Sequence, residues 1–133
     1  MTKPELPPLS EAQLEIINII WERGTATVGQ IWKTLAKNRS LSRNTISTMV
    51  ARLEEKGWLR HRVIGGTFLY SATRPRAKVL SRMVHRLVDV AFQGSAEGLV
   101  LALLEGGRLS AEEVERIKAR LEEAEIDKRE AGQ

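Results

Sequence analysis

Leu41-Ser42-Arg43-Asn44-Thr45-Ile46-Ser47-Thr48-Met49-Val50-Ala51-Arg52-Leu53-Glu54-Glu55-Lys56-Gly57, running on through Trp58-Leu59-Arg60-His61-Arg62-Val63-Ile64-Gly65-Gly66-Thr67-Phe68-Leu69-Tyr70, is the stretch that decides the fold. In its first half Ile46, Met49, Val50 and Leu53 stand at i, i+3, i+4 and i+7, which commits one side of a helix to a core. The other side carries Asn44, Thr48, Ala51 and Glu55. In its second half the period drops to two, with β-branched and aromatic runs over 58–64 and 67–72. Gly65-Gly66 joins them and suits the paired positive φ angles of a type I′ turn. A helix that runs into such a hairpin is the outline of a winged helix-turn-helix.

Upstream, two further helices complete the three-helix core. Ser10 with Gln13 forms a capping box, Leu14, Ile17, Ile20 and Trp21 continue an apolar stripe, and Gly24 ends the helix. Thr27 with Gln30 repeats the box ahead of Val28, Ile31, Trp32 and Leu35. Ser42 then caps the third helix, which Gly57 closes from a C′ position that needs positive φ. Trp21, Trp32 and Trp58 read as core packing rather than base stacking, and His61 and His85 receive no role.

Downstream, Arg74-Pro75 breaks the hairpin, and the chain becomes helical again. Leu80, Met83, Val84, Leu87, Val88 and Ala91 alternate three and four residues apart, a seam suited to another helix. Leu99-Val100-Leu101-Ala102-Leu103-Leu104 is apolar on every side and needs cover all round. Ser110 with Glu113 boxes a last helix bearing Val114, Ile117 and Leu121. These short helices present more apolar face than one copy hides, so a twofold homodimer is expected, with Leu80, Met83, Val84, Leu87, Val88, Leu99, Leu101, Leu103, Val114, Ile117 and Leu121 as its contacts. The expected organisation is a DNA-binding domain over residues 1–74, a helical dimerisation domain over 75–126 and a frayed tail over 127–133. The fold class is mainly α, with three helices and a small β-hairpin wing followed by three more helices.

Charge separates the two parts. Residues 1–80 hold 13 Lys+Arg against 6 Asp+Glu, whereas residues 81–133 hold 8 against 11. Between Arg39 and Arg76 there are 8 basic side chains and 2 acidic ones, a balance that attracts polyphosphate and makes binding salt-dependent. Short polar side chains at a helix start reach base edges when that end enters a major groove, so Asn44, Thr45 and Thr48 are the expected base readers. Ser42, Arg43, Arg52, Arg60 and Arg62 are expected on the sugar–phosphate backbone.

Composition closes off other classes. With no cysteine there is no disulfide framework, thiolate metal site or cysteine nucleophile, and neither a metal nor a cofactor is expected. The acids lie mostly on solvent faces of helices, without a catalytic constellation, so the chain reads as no enzyme. The first residues lack the apolar stretch of a secretory signal and the longest apolar run is too short for a bilayer, so no membrane insertion and a cytoplasmic location are expected. Double-stranded DNA carrying a palindromic operator is the expected partner. Two alternatives stay open: a small dimeric winged-helix regulator of another family that binds an effector, and a winged-helix protein-interaction module, against which the basic third helix argues.

Leu9-Ser10-Glu11-Ala12-Gln13-Leu14-Glu15, Ile20-Trp21, residues 25–35, Leu41-Ser42-Arg43-Asn44-Thr45-Ile46-Ser47-Thr48-Met49, Arg52-Leu53-Glu54-Glu55-Lys56-Gly57-Trp58-Leu59 and Phe68-Leu69-Tyr70 together resemble the penicillinase repressor family, of BlaI and MecI type with copper-responsive CopY relatives. The resemblance covers roughly residues 9 to 124 and is densest through the third helix and wing. It implies a dimeric repressor with an N-terminal winged helix-turn-helix and a three-helix dimerisation domain. It also implies that the polar residues of a Ser-x-x-Thr helix start, here Ser42 and Thr45, contact bases. A membrane sensor peptidase that cuts an Asn-Phe bond acts on the β-lactam-responsive members, but this chain has Ala102-Leu103 there and the cleavage site is not matched. The cysteines of the copper-responsive members are missing, and Gly66 replaces a basic residue at the wing tip.

Overall fold

The computed structural model describes residues 5–132. Residues 1–4, where the expectation about a signal segment falls, and Gln133 lie outside it. The order is α1 (Glu11–Arg23), α2 (Val28–Leu35), α3 (Arg43–Glu55), β1 (Leu59–Ile64), β2 (Thr67–Ala72), α4 (Arg76–Ala91), α5 (Ala96–Glu105) and α6 (Ala111–Ala131). The chain divides into two compact units, 1–81 and 82–133. The first turn and a half of α4 therefore belongs with the winged unit.

The caps form as the sequence demands. Ser10, Thr27 and Ser110 each complete a reciprocal box with Gln13, Gln30 and Glu113, satisfying amides that a helix start leaves bare. Ser42 accepts from the Thr45 amide at 3.1 Å. Gly57 takes φ +93 after the C-cap Lys56, and a Cβ there would stand 3.1 Å from the Leu6 side chain, so glycine is needed for conformation and for space alike.

Between them these helices enclose one core. Ile16, Ile17 and Ile20 of α1, Ile31 of α2, and Ile46, Val50 and Leu53 of α3 are fully buried. Burial on α1 is wider than the stripe read from sequence, because Ile16 and Ile19 are covered too while Leu14 and Trp21 are only partly so. Trp21 and Trp32 are half-buried and Trp58 is buried, and each indole donates to a distant carbonyl: Trp21 to Arg74 at 2.9 Å, Trp32 to Leu41 at 3.0 Å, Trp58 to Pro7 at 2.9 Å. These bonds tie down the exit from the hairpin, the approach to α3 and the N-terminal arm.

β1 and β2 pair antiparallel, with Ile64 opposite Thr67 across a two-residue turn and Leu59 opposite Ala72 at the base. Gly65 and Gly66 have φ +56 and +78, the double positive value that a type I′ turn requires. The strand begins at Leu59, one residue later than the sequence run suggests. Trp58 lies in a bend, so it and Leu59 are both buried and the strict alternation breaks there. The outer edge of β2 is partly paired as well: the Ala26 and Tyr70 amides each donate to the other's carbonyl, at 3.0 and 2.9 Å. That bridge fastens the hairpin to the connector between α1 and α2.

The second unit is built differently. Among the described residues every buried side chain lies between Ile16 and Tyr70, and none in α4, α5 or α6 is buried. α6 continues in regular helix to Ala131, across the stretch read as tail. Among the described residues no single helix is long and apolar enough to cross a membrane.

Candidate nucleic-acid interface

α3 offers its polar side to solvent because its apolar side is consumed by the core. Asn44, Thr48, Ala51 and Glu55 are exposed along one line of the helix, directly behind buried Ile46, Val50 and Leu53. The Asn44 amide makes no hydrogen bond to any described residue, leaving a donor and an acceptor side by side. The Thr48 hydroxyl donates to the Asn44 carbonyl at 3.0 Å, which holds it on the same line while its lone pairs and methyl stay outward. Thr45 is placed otherwise. Its hydroxyl meets that of Ser42 at 2.9 Å, so these two residues, one expected on a base and one on a phosphate, first satisfy each other at the helix cap.

The cations fall into two groups. Arg39, part of the basic run, is drawn inward: its Nε donates to Glu15, its Nη2 reaches the other Glu15 oxygen at 3.1 Å, and Glu11 lies 3.8 Å away. That hydrogen bond holds the Glu15 carboxyl below its ordinary range and the Arg39 guanidinium above its own. Arg43, Arg52, Arg60 and Arg62 are exposed and have no carboxylate partner among the described residues. Arg43 reaches from the start of α3 over the first turn of α2, where a Cβ on Gly29 would come within 3.3 Å of its guanidinium. Gly29 was not singled out from the sequence, although glycine in the first turn of a helix is the signal of such an approach.

On the wing, strand alternation separates the side chains. Leu59, His61, Val63, Phe68 and Tyr70 share the face turned to α3, and Arg60 and Arg62 stand on the opposite one. The structure therefore gathers Ser42, Arg43, Asn44, Thr45 and Thr48 at one helix end, whereas the wing arginines project from a separate surface. His61, given no role from sequence, is engaged: its Nδ1–H donates to Glu54 at 2.6 Å and its ring stacks on Phe68 with centroids 4.0 Å apart. Burial, with the nearby Glu54 charge as a lesser cause, raises the Tyr70 hydroxyl above its usual value. Among the described residues no group of three or more His, Cys, Asp or Glu is placed to hold a metal.

A three-helix core with a hairpin after its third helix, and that helix's polar N-terminal end exposed beside Arg43, defines a winged helix-turn-helix protein. The family model described as penicillinase repressor matches residues 9–123, and the chain belongs to that family. It is 31% identical over 126 residues to the penicillinase repressor of Bacillus licheniformis, covering 95% of this chain and 98% of that one. It is 26% identical over 110 residues to the methicillin resistance regulatory protein MecI of Mammaliicoccus sciuri, covering 83% and 89%. Among solved structures it resembles the DNA binding domain of the repressor BlaI, with TM-score 0.50 and 32% identity over 56% of this chain and 92% of that one.

Proposed function

We infer that this chain is a DNA-binding transcriptional repressor that grips a palindromic operator as a homodimer. Family membership supports the repressor function. The observation that carries the DNA-reading surface is the line of unpartnered Asn44 and exposed Thr48 on a helix whose reverse side is wholly buried. In this reading Asn44, Thr45 and Thr48 meet base edges, with the amide of Asn44 matched to the donor and acceptor of an adenine. Ser42, Arg43, Arg52, Arg60 and Arg62 hold sugar and phosphate.

The apolar surface of α4–α6 supports the second copy. Leu87 is 46% exposed, Leu101 47%, Ile117 46% and Leu121 60%, aliphatic surface on each of the three helices that a lone chain leaves in water. Val90, seven residues after Met83 and 74% exposed, extends the α4 seam beyond the positions picked from periodicity. Residues 1–74 thus serve as the reader, 75–126 as the dimerising part, and the protein works in the cytoplasm. Ala102-Leu103 sits inside regular α5, and no cleavage is assigned to it.

Footprinting the full chain on the DNA upstream of its own coding sequence tests the reading. Two protected half-sites about one helical turn apart, or a multiple of it, are expected from a dyad. Equal affinity for every fragment and for random duplex would overturn it.

A further inference from the structure

The core joins the hairpin to α3 only at its base, through Leu53, Leu59 and Tyr70, all buried. From Arg60 outward β1 is exposed, and Val63, Ile64 and Phe68 at its far end are 58%, 53% and 46% exposed. A two-stranded hairpin is marginal on its own, so the direction in which this one leaves the core needs a determinant above the base. Beside the bridge that holds Tyr70, the register partner of His61, to Ala26 on the β2 edge, one side-chain contact orients β1 against α3. The Nδ1–H of His61 donates to both carboxylate oxygens of Glu54, at 2.6 and 2.8 Å. The imidazole lies flat on Phe68, with planes 11° apart, and Tyr70 flanks it with ring centroids 5.6 Å apart. Both partners are partly shielded, at 28% and 31% side-chain exposure.

The position of this clasp is telling. Glu54 stands on the last turn of α3, the helix that carries Asn44 and Thr48, and His61 stands between Arg60 and Arg62 on β1. A carboxylate on that helix opposes the approach of a polyanion unless its charge is turned elsewhere, and the hydrogen bond turns it toward the wing. Because residues 60 and 62 flank residue 61 on a single strand, fixing the His61 side chain fixes the origin from which both arginines leave the opposite face.

We propose that Glu54 and His61 are a positioning pair for operator recognition, setting the tilt of the wing against α3 so that Arg60 and Arg62 meet phosphates in register with the bases under Asn44 and Thr48. The proposal rests on the reading that the two wing arginines contact phosphate. The experiment keeps the two apart by measuring operator affinity and its salt dependence for the full chain, against operator and random duplex. His61→Phe keeps a ring to stack on Phe68 and loses the donor; it is expected to weaken operator binding about 3- to 10-fold and to flatten the salt slope. His61→Asn, whose side-chain N–H stands near the place of Nδ1–H, is expected to recover most of that loss. In the Arg60→Ala/Arg62→Ala background His61→Phe is expected to cost nothing further. A melting temperature lowered by His61→Phe with operator affinity unchanged would overturn the proposal, as would a full additional loss in the arginine-free background. If Arg60→Ala/Arg62→Ala by itself left affinity and salt slope unchanged, the phosphate reading would fall first and the proposal with it.

Discussion

The two units of this chain solve the same problem in opposite ways. Residues 16–70 bury their isoleucines to 0% exposure at Ile16, Ile17, Ile20, Ile31 and Ile46, satisfy three indole N–H groups, and pin the free edge of β2 to Ala26. Helices α4–α6 are richer in leucine, and α5 and α6 are capped by Ser95 and Ser110, yet the three bury no residue. Capping and helix propensity thus suffice to form the helices, but not to hide their faces. The winged unit hides its own apolar faces and the other unit leaves its faces exposed, which is why a second copy enters the functional reading.

The most severe break in that contrast is a charge on the uncovered side. Leu87→Glu or Leu101→Glu is expected to leave a monomer in sedimentation and to abolish tight operator binding, since linking two readers raises affinity by about 10²–10⁴ over one. An intact dimer in either variant would remove α4 and α5 from the seam. A smaller but still large effect is expected in the winged core. Ile46→Ala should destabilise by about 2–5 kcal/mol through lost transfer and an unfilled cavity. Urea midpoints sharpen the comparison further, because that loss should not vary with protein concentration, whereas the loss from Leu87→Ala should shrink as concentration rises.

How much of this was readable in advance follows the same divide. Local rules gave the caps at Ser10, Thr27, Ser42 and Ser110, the glycine turn at 65–66 and the buried side of α3, because each depends on neighbours within a few residues. What stayed hidden depends on partners far along the chain. The Glu15 grip on Arg39 spans 24 residues and takes a cation out of the basic run. Trp21 finds its carbonyl 53 residues away, and Ile16 and Ile19 are covered because several elements surround α1 at once. His61 and Glu54 are only seven residues apart, but a helix end and a strand start intervene, and no spacing rule for a single helix or strand relates them.

On the reading surface, Asn44→Ala is expected to cost about 1–3 kcal/mol on the operator and to relax selectivity at one base pair. Arg60→Ala should weaken all sequences alike and lower the salt slope by about one. Anisotropy titrations on operator and random duplex at several salt concentrations separate these outcomes. An equal loss on both duplexes for Asn44→Ala would place Asn44 on the backbone rather than on a base.

The smallest expected effect lies where a basic residue has been withdrawn from that surface. The hydrogen bond from Arg39 lowers the Glu15 carboxyl below its ordinary value in the folded chain, and the unfolded chain lacks that bond. A carboxyl with a depressed folded value binds fewer protons folded than unfolded, so its contribution is complete above the ordinary carboxylate range and is lost as pH falls through that range to the folded value. Melting temperature measured against pH in low salt should therefore decline less steeply on the acid side for Glu15→Gln than for the parent chain. The variant's deficit should be an offset that is full at neutral pH and closes as pH falls through the carboxylate range. Because both side chains reach solvent, added salt should shrink that offset, in contrast to the deficit from Ile46→Ala, which arises in a core that ions do not enter.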